Sequence, residues 1–406
     1  MNHLLHLKQQ DRIGWIGLGE MGYSMAKNLN SYLASRSLTM TVWNRSPAKA
    51  QKMHSHGARV AKSLEDLVAQ SNIIFTSLAN DAAVQEIYDR LIDLAGQVEH
   101  TIIFVETSTI YPTLATELHQ RLTTGLPEKQ HVYLQCPIFG RPSVAKAAKL
   151  VWVTSGDEKA IKKMCLYFTT MSKSIIHLKT LDVAKACSFK LVGNFFVVGS
   201  MELLAEGLNL AEKADVDQGS VLKFIEAFFP TPSWIEYSKK MVENSNNDNN
   251  GQTSSSNSSA NGISSKSGSL FRSKKDSSHR KKLAGALSKE GGFSVDLGLK
   301  DVGHMRRLAQ ETGAALPTAD LAYEHLLAVQ EQGKGDQDWS NMISSLKMSP
   351  STAPSPVSSS ASSLKSRYSV DEKRPEDVNS DVSLSSSPSS ADLRSQPPAY
   401  EVESTK

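Results

Sequence analysis

A lysine and an asparagine one helical turn apart stand at the head of an apolar run. The run reads AKACSFKLVGNFFVVGSMELLAEGLNLAEKA and contains Lys190 and Asn194. At helical spacing their side chains share one face. A partly desolvated lysine can act as a general acid or base, and a neighbouring amide can hold the same substrate oxygen or orient the lysine. A solvated lysine at a helix start is the alternative that these residues alone leave open.

A glycine pattern near the N-terminus predicts a dinucleotide site. The stretch IGWIGLGEMGYSMAKNL spaces Gly17, Gly19 and Gly22 as GxGxxG, directly after a predicted strand and at the start of a predicted helix. The first glycine permits a tight turn, the second lets the backbone approach a pyrophosphate, and the third lets helix and strand pack closely.

The end of the second predicted strand, VWNRSPAKA, bears on the choice of cofactor. Enzymes that use NAD usually place an acidic residue here to bind the ribose 2′-hydroxyl, but this chain has Asn44, Arg45 and Ser46. A guanidinium and a hydroxyl would hold a 2′-phosphate, which a carboxylate would repel. We therefore predict NADP(H) as the preferred cofactor, with NAD(H) possible and Arg45 as a mere surface residue the alternative.

Strand-like and helical segments alternate through the first part of the chain. This predicts a Rossmann-type, doubly wound parallel sheet (α/β) over residues 11–180, followed by an all-α domain over 181–343. An Asn/Ser-rich stretch, 244–290, is predicted to be a disordered insertion, and 347–406 a disordered Ser/Pro-rich tail. The predicted strands are 12–16, 39–43, 72–77, 101–106, 131–135, 150–154 and 174–178, and two of the predicted helices are 21–33 and 82–95.

Composition narrows the class of protein. The 406 residues carry a net charge of +3, which argues against a dedicated nucleic-acid surface. Cys136, Cys165 and Cys187 lack metal-ligand or disulfide spacing, so no metal site is predicted. The first ten residues, MNHLLHLKQQ, fit neither a secretory signal nor a presequence, and no apolar stretch is long and uninterrupted enough to span a membrane. A cytoplasmic protein is the resulting expectation.

Four blocks in order resemble the β-hydroxyacid dehydrogenases related to 3-hydroxyisobutyrate dehydrogenase. They are GLGEMGYSMAKNL, VETSTIYP, CPIFGRPSVAKAAKL, and FKLVGNF together with FSVDLGLKD. The resemblance covers about residues 13–341, apart from the insertion. It implies a small anionic substrate, a homo-oligomer built through the helical domain, and a long helix that bridges the two domains at the cleft.

The resemblance also implies roles for individual residues. Lys190 and Asn194 align with the catalytic pair, and Asp301 is a candidate to orient Lys300. The implied cofactor-binding residues are Gly17, Leu18, Gly19, Glu20, Met21, Gly22, Asn44, Arg45, Ser46, Leu78, Ala79, Thr109 and Lys300. The implied substrate-binding residues are Ser108, Phe139, Gly140 and Arg141.

Two departures from the family pattern bear on the substrate. A Ser-Gly-Gly that holds the substrate carboxylate in the family is replaced by Phe139-Gly140-Arg141. Arg141 could replace the lost contact with a bidentate one if it points inward, or it could face solvent. Ahead of Lys190, a family GxG is replaced by Ala184-Lys185-Ala186, which suits a helix but adds methyl groups where clearance is needed.

The sequence supports two functions of different classes. The first is an NADP(H)-dependent oxidoreductase that interconverts a small 3-hydroxy acid and its semialdehyde or oxo form, with Lys190 as general acid/base. The second is a catalytically weak NADP-binding scaffold that acts through its tails. Pro397, Pro398 and Tyr400 form a PPxY motif, the form that WW domains recognise. The joint presence of Lys190 and Asn194 favours the enzyme.

Overall fold

The chain was analysed as a computed structural model that describes residues 11–253 and 292–347. The PPxY motif and nearly all of the predicted insertion and tail lie outside these ranges. The division of the chain at residues 180 and 181 stays a prediction.

A six-stranded parallel sheet organises the N-terminal half, as the alternation of strand and helix signals predicts. Its order is β3-β2-β1-β4-β5-β6, and the order reverses between β1 and β4. In open sheets of this kind ligands bind at the carboxyl edge beside that reversal. The strands are β1 (Ile13–Ile16), β2 (Thr41–Trp43), β3 (Arg59–Val60), β4 (Ile73–Thr76), β5 (Ile103–Glu106) and β6 (Val132–Gln135).

Seven helices accompany the strands within the described N-terminal half. Three begin at a residue whose side chain accepts a hydrogen bond from the first turn: Ser63, Asn80 and Asp157. The helices are α1 (Glu20–Ala34), α2 (Pro47–His54), α3 (Leu64–Ala69), α4 (Asp81–Gln97), α5 (Pro112–Thr123), α6 (Pro142–Lys146) and α7 (Glu158–Phe168), with a 3₁₀ turn at Pro127–Lys129.

A second, smaller sheet carries the chain toward the helical half. β7 (Ile138–Phe139) pairs antiparallel with β8 (Leu150–Thr154), and β8 pairs parallel with β9 (Ser172–His177). The buried rings of Trp15, Phe75, Phe168 and Trp152 pack against one another in that order, the middle pair edge to face, and join this sheet to the large one. Since β7 pairs with β8, which carries Trp152, this series connects β7 to the large sheet.

Helix α8 (Ala184–Lys213) connects the two halves. At 30 residues it spans about 45 Å. Cys187 packs in the core of the parallel sheet, whereas the residues from Leu191 to Leu208 pack in the helical core. The remaining helices are α9 (Gln218–Phe228), α10 (Pro232–Thr253), α11 (Val295–Thr312), α12 (Pro317–Val329) and α13 (Ile343–Leu346), with a π-type turn at Gln330–Lys334 and a 3₁₀ turn at Trp339–Met342.

The fold class is confirmed, and the differences lie at short or marginal elements. β3 and β7 have two residues each, too few to show an alternating pattern, and neither was predicted. Helix α10 continues through Thr253, past the predicted start of the insertion at residue 244, and the bounds of the insertion stay a prediction. Asparagine and serine are weak helix formers, but extending an existing helix avoids the cost of nucleation.

Helix α8 alone in the described ranges is long and apolar enough to cross a membrane by length and composition. Its most apolar window is 44% buried inside the protein, and Lys190, Asn194 and Glu202 are buried side chains on it. Such burial is typical of a core helix. Cys136, Cys165 and Cys187 are free, and no group of metal-ligating side chains is found among the described residues.

Candidate functional site

The glycine loop has the geometry that a dinucleotide requires. Gly17 has φ +94°, and a Cβ there would lie 2.2 Å from the Ser77 carbonyl oxygen. A Cβ on Gly22 would lie 2.2 Å from the Gly17 carbonyl oxygen. A Cβ on Gly19 would have no protein atom within 4 Å, so the space above this residue is open. The tight turn and the open approach at Gly19 fit a bound pyrophosphate.

Helix α1 starts at this opening. Gly19 is its N-cap, so no side chain covers the first amides, and Glu20 and Met21 form the first turn. Leu18 donates its backbone N–H to Asn44 Oδ1 at 2.8 Å, and Asn44 Nδ2 donates to the Ser46 carbonyl at 3.0 Å. Asn44 therefore fastens the loop to the end of β2.

Most of the residues after β2 and β4 that the sequence predicts to bind the cofactor are accessible. Arg45 and Ser46 are exposed at the start of α2, and Ala79 is exposed beside the half-buried Leu78. The Leu78 N–H donates to Ser108 Oγ at 2.7 Å, which joins the loops that follow β4 and β5. Ser108 is buried, and its own N–H donates to Glu106 Oε1 at 2.5 Å.

The implied catalytic pair lies in a buried series of polar contacts between α8 and α11. Lys190 Nζ donates to Asn194 Oδ1 at 2.8 Å, and Asn194 Nδ2 donates to Asp301 Oδ2 at 2.7 Å. The orientation of the amide follows from chemistry, since the ammonium only donates and the carboxylate only accepts. Lys300 pairs with Asp301 at 3.0 Å and donates to the Thr109 carbonyl at 2.7 Å.

Burial shifts the ionisation of the lysine toward neutrality. It lowers the pKa of Lys190 to about 8; the Asp301 charge opposes this shift and the Lys300 charge adds to it. A group with a pKa in this range can both donate and accept a proton near physiological pH. The alternative interpretation that the sequence alone left open, a solvated lysine, is thus wrong, because Lys190 is buried.

The segment after β6 differs from both sequence alternatives for Arg141. Its guanidinium neither enters the cleft freely nor faces solvent: it pairs with Glu236 on α10 and lies 3.8 Å from Asp338. It also stacks over the Tyr237 ring at 4.9 Å. Gly140, with φ +142°, makes the turn, and Phe139 lies over Lys190. The charge of Arg141 is therefore paired within the protein, and its role in substrate binding stays a prediction.

The alanine segment ahead of Lys190 forms the first turn of α8. Ala184 begins the helix, Ala186 is buried, and Lys185 is exposed. The helix thus runs unbroken to Lys190.

Several residues at the domain boundary carry no signal in the sequence. Tyr111 Oη donates to Glu311 at 2.5 Å, and Asp81 accepts from the Tyr111 N–H at 2.9 Å. His304 lies 3.5 Å from Asp81. These contacts join α4 and α5 to α11 across long stretches of sequence, so no local pattern reveals them.

Residues 12–179 match the family model of the NAD binding domain of 6-phosphogluconate dehydrogenase. A curated relative named probable 3-hydroxyisobutyrate dehydrogenase-like 1 matches 80% of this chain, and one named 3-hydroxyisobutyrate dehydrogenase, from Drosophila melanogaster, matches 53% of it. The chain is thus similar to the β-hydroxyacid dehydrogenases related to 3-hydroxyisobutyrate dehydrogenase. It is an oxidoreductase with a nicotinamide-dinucleotide-binding domain.

Two of the relatives align with most of this chain and with most of their own length. The uncharacterized oxidoreductase YfjR of Bacillus subtilis is 26% identical over 83% of this chain and 100% of its own. A mitochondrial protein of Arabidopsis thaliana, named probable 3-hydroxyisobutyrate dehydrogenase-like 1, is 28% identical over 80% of this chain and 82% of its own.

Solved structures share the fold. The 3-hydroxyisobutyrate dehydrogenase of Mycobacterium tuberculosis with L-serine has a TM-score of 0.61 and 22% identity, over 84% of this chain and 100% of its own. Psf3 in complex with NADP+ and 2-OPP also has a TM-score of 0.61, with 21% identity over 82% and 99%.

Proposed function

We propose that this chain is an NADP(H)-dependent oxidoreductase that interconverts a small 3-hydroxy acid and its semialdehyde or oxo form, with Lys190 as general acid/base. The observation that carries the proposal is the buried Lys190 ammonium, hydrogen-bonded through Asn194 to Asp301. Holding a lysine out of water costs free energy. A general acid or base must also be held in position for proton transfer, and the contact with Asn194 does this for Lys190.

Each residue has a defined task in this reaction. The nicotinamide cofactor, when bound, supplies or accepts the hydride. Lys190 donates a proton from Nζ to the carbonyl oxygen during reduction and takes it back during oxidation. Asn194 fixes Nζ through its Oδ1, and Asp301 fixes the amide. Lys300 holds the Thr109 carbonyl and so keeps the loop after β5 against α11.

The charge of the site supports an anionic substrate. The two ammonium groups of Lys190 and Lys300 face a single carboxylate in this series, Asp301, which leaves an excess positive charge when Lys190 is protonated. An anion is attracted to such a cleft. Ser108 lies at the same edge, and its hydroxyl oxygen accepts the Leu78 N–H.

The test is oxidation of NADPH by the purified chain with a panel of semialdehydes and 2-oxo acids, with NADH in parallel. Turnover with a semialdehyde supports the proposed reaction. Tight NADPH binding with no turnover on any compound would contradict it and favour the scaffold.

The preference for NADP(H) predicts the effect of reversing one charge. Changing Arg45→Glu should raise the KM for NADPH roughly 10- to 100-fold, because one charge-assisted hydrogen bond to the 2′-phosphate is lost. The KM for NADH should stay within about twofold, because NADH has no 2′-phosphate. Steady-state kinetics with both cofactors measures this. Lys49→Glu, on the exposed face of α2, is the matched control for general charge. Equal effects of the two variants on NADPH would remove Arg45 from the site.

An apolar face on α8 supports the homo-oligomer. Its exposed side chains recur at the 3.5-residue spacing of helix-pairing seams. They are Phe189, Val192, Phe196, Leu203 and Leu210, between 37% and 69% exposed. A hollow of about 430 Å³ lies beside them, lined in part by Phe196, Gly199 and Leu203. The second copy of α8 offers a matching face for this hollow.

We expect a dimer in solution, and Leu203→Glu should dissociate it, because a carboxylate cannot be buried unpaired in an apolar seam. Sedimentation gives the mass of each protein. Leu166→Glu, at an exposed leucine of α7, should leave the dimer intact. A monomeric parent chain would rule out this seam.

Two further proposals rest on sequence. A WW-domain partner at Pro397, Pro398 and Tyr400 is tested by binding of the full chain to a WW domain, which Tyr400→Ala should abolish. A cytoplasmic location agrees with three free cysteines and is tested by cell fractionation.

A further inference from the structure

The Phe139 ring occupies a defined place beside the candidate catalytic lysine. Lys190 Nζ lies 4.1 Å from the centre of the ring. The far edge of the ring rests on the backbone of Gly193, where a Cβ would lie 2.3 Å from Cζ of Phe139. Phe189 meets the ring edge-on, with centroids 6.3 Å apart. The ring is thus wedged against α8 between Gly193 and Lys190.

This placement accounts for two of the three directions in which the ammonium can donate. Within the described ranges Lys190 has one hydrogen-bond acceptor, Asn194 Oδ1 at 2.8 Å. The ring face lies within the distance at which aromatic quadrupoles attract cations. An ammonium carries three donor hydrogens, so one remains for a substrate oxygen.

We propose that Phe139 is a positioning residue that holds Lys190 in its charged, proton-donating form and directs its remaining hydrogen at the substrate oxygen. This inference rests on the proposed function. Phe139 stands where the family pattern has a serine. It cannot form the serine's hydrogen bond to substrate, but its ring face stabilises the charge of Lys190. The protonated lysine is the form that carbonyl reduction uses.

The other charged groups near Lys190 lie on α11 and beside β7. On α11, Asp301 stabilises the ammonium and Lys300 destabilises it. On the side of β7, Arg141 has its charge paired with Glu236 and Asp338. None of these groups is altered when the ring is replaced by an aliphatic side chain, so a change in Lys190 reports on the ring.

The test compares Phe139→Leu with Phe139→Tyr. Leucine still excludes water but lacks the π face, so the pKa of Lys190 should fall by about one unit, the size of a partly desolvated cation–π contact. Tyrosine keeps the face and should keep the wild-type pKa. Tyr323→Leu removes a similar contact, with Arg306 4.5 Å above the ring, and should not move Lys190.

Two measurements report the pKa. One is the pH dependence of Lys190 acetylation by acetic anhydride in the cofactor-free chain, read by mass spectrometry. The other is the pH profile of kcat for reduction. In Phe139→Leu its alkaline limb should shift to lower pH by the same amount, about one unit.

An unchanged or raised pKa in Phe139→Leu would overturn the role of the ring, and so would an equal fall in Phe139→Tyr. Acetylation measures the pKa of Lys190 in a chain that need not catalyse any reaction. A fall in Phe139→Leu in a chain that reduces no compound would therefore support the ring's effect on the charge and refute the proposed function instead.

Discussion

Lys190→Ala should lower turnover by roughly 10²- to 10⁴-fold, the usual contribution of a positioned general acid or base. The affinity for NADPH should stay within about twofold, because the hydrogen-bond acceptor of Lys190 is Asn194 on the same helix and the dinucleotide is expected at the glycine loop. The alkaline limb of the pH profile near pH 8, which follows from the pKa of Lys190, should disappear with the side chain. Steady-state kinetics and a fluorescence titration of NADPH measure the two effects separately.

The matched control for this variant is Lys185→Ala. Lys185 lies on the same helix, is exposed, and approaches Asp182 only to 3.9 Å. It should retain full turnover. If Lys190→Ala turned over as fast as Lys185→Ala, the proton would have to come from another group and the proposed mechanism would fail. Intact NADPH binding by Lys190→Ala guards against loss of the fold as the cause.

A buried carboxyl group at the end of β5 should make the stability of the fold depend on pH. Glu106 has no exposed surface, and burial raises its pKa to about 7 against the hydrogen bonds from Ser108 and Thr76, which lower it. Its oxygens accept from the Ser108 N–H at 2.5 Å and from Thr76 Oγ1 at 2.7 Å. The group thus anchors the loop that carries Ser108 while remaining hard to ionise.

The sign follows from comparing the folded and unfolded chains. The unfolded carboxyl releases its proton near pH 4.3, whereas the folded one keeps it to about pH 7. Because the folded state binds more protons in this window, the contribution of Glu106 to stability is fully present below pH 4.3 and is lost as pH rises to about 7. Between pH 5 and pH 8 Glu106 should remove about 3 kcal/mol from the free energy of unfolding.

Urea unfolding at the two pH values checks this expectation. Glu106→Gln keeps an acceptor for the Ser108 N–H and cannot ionise, so its stability should fall by about 3 kcal/mol less than that of the parent chain. Glu86→Gln, at an exposed position of α4, should behave like the parent. The same pH dependence in Glu106→Gln as in the parent would show that Glu106 is ionised in the folded state.

The sequence alone determined the cofactor half of the molecule, because its requirements are local. Gly17 and Gly22 are needed for steric reasons within one turn of chain, and their spacing is visible without any distant contact. The alternation of strands and helices likewise set the parallel sheet. Lys190 and Asn194 could be placed together for the same reason, since four residues along a helix bring two side chains to one face.

Tertiary structure decided what surrounds those residues. Asp301 contacts Asn194 across 107 positions of sequence, and Arg141 pairs with Glu236 and lies near Asp338 in the helical half. The Phe139 ring reaches Lys190 because α8 has a glycine at the point of contact. The ionisation of Lys190 and Glu106 depends on how much water the packed domains exclude. Such effects sum over groups from distant segments, so they exist only once the chain has folded.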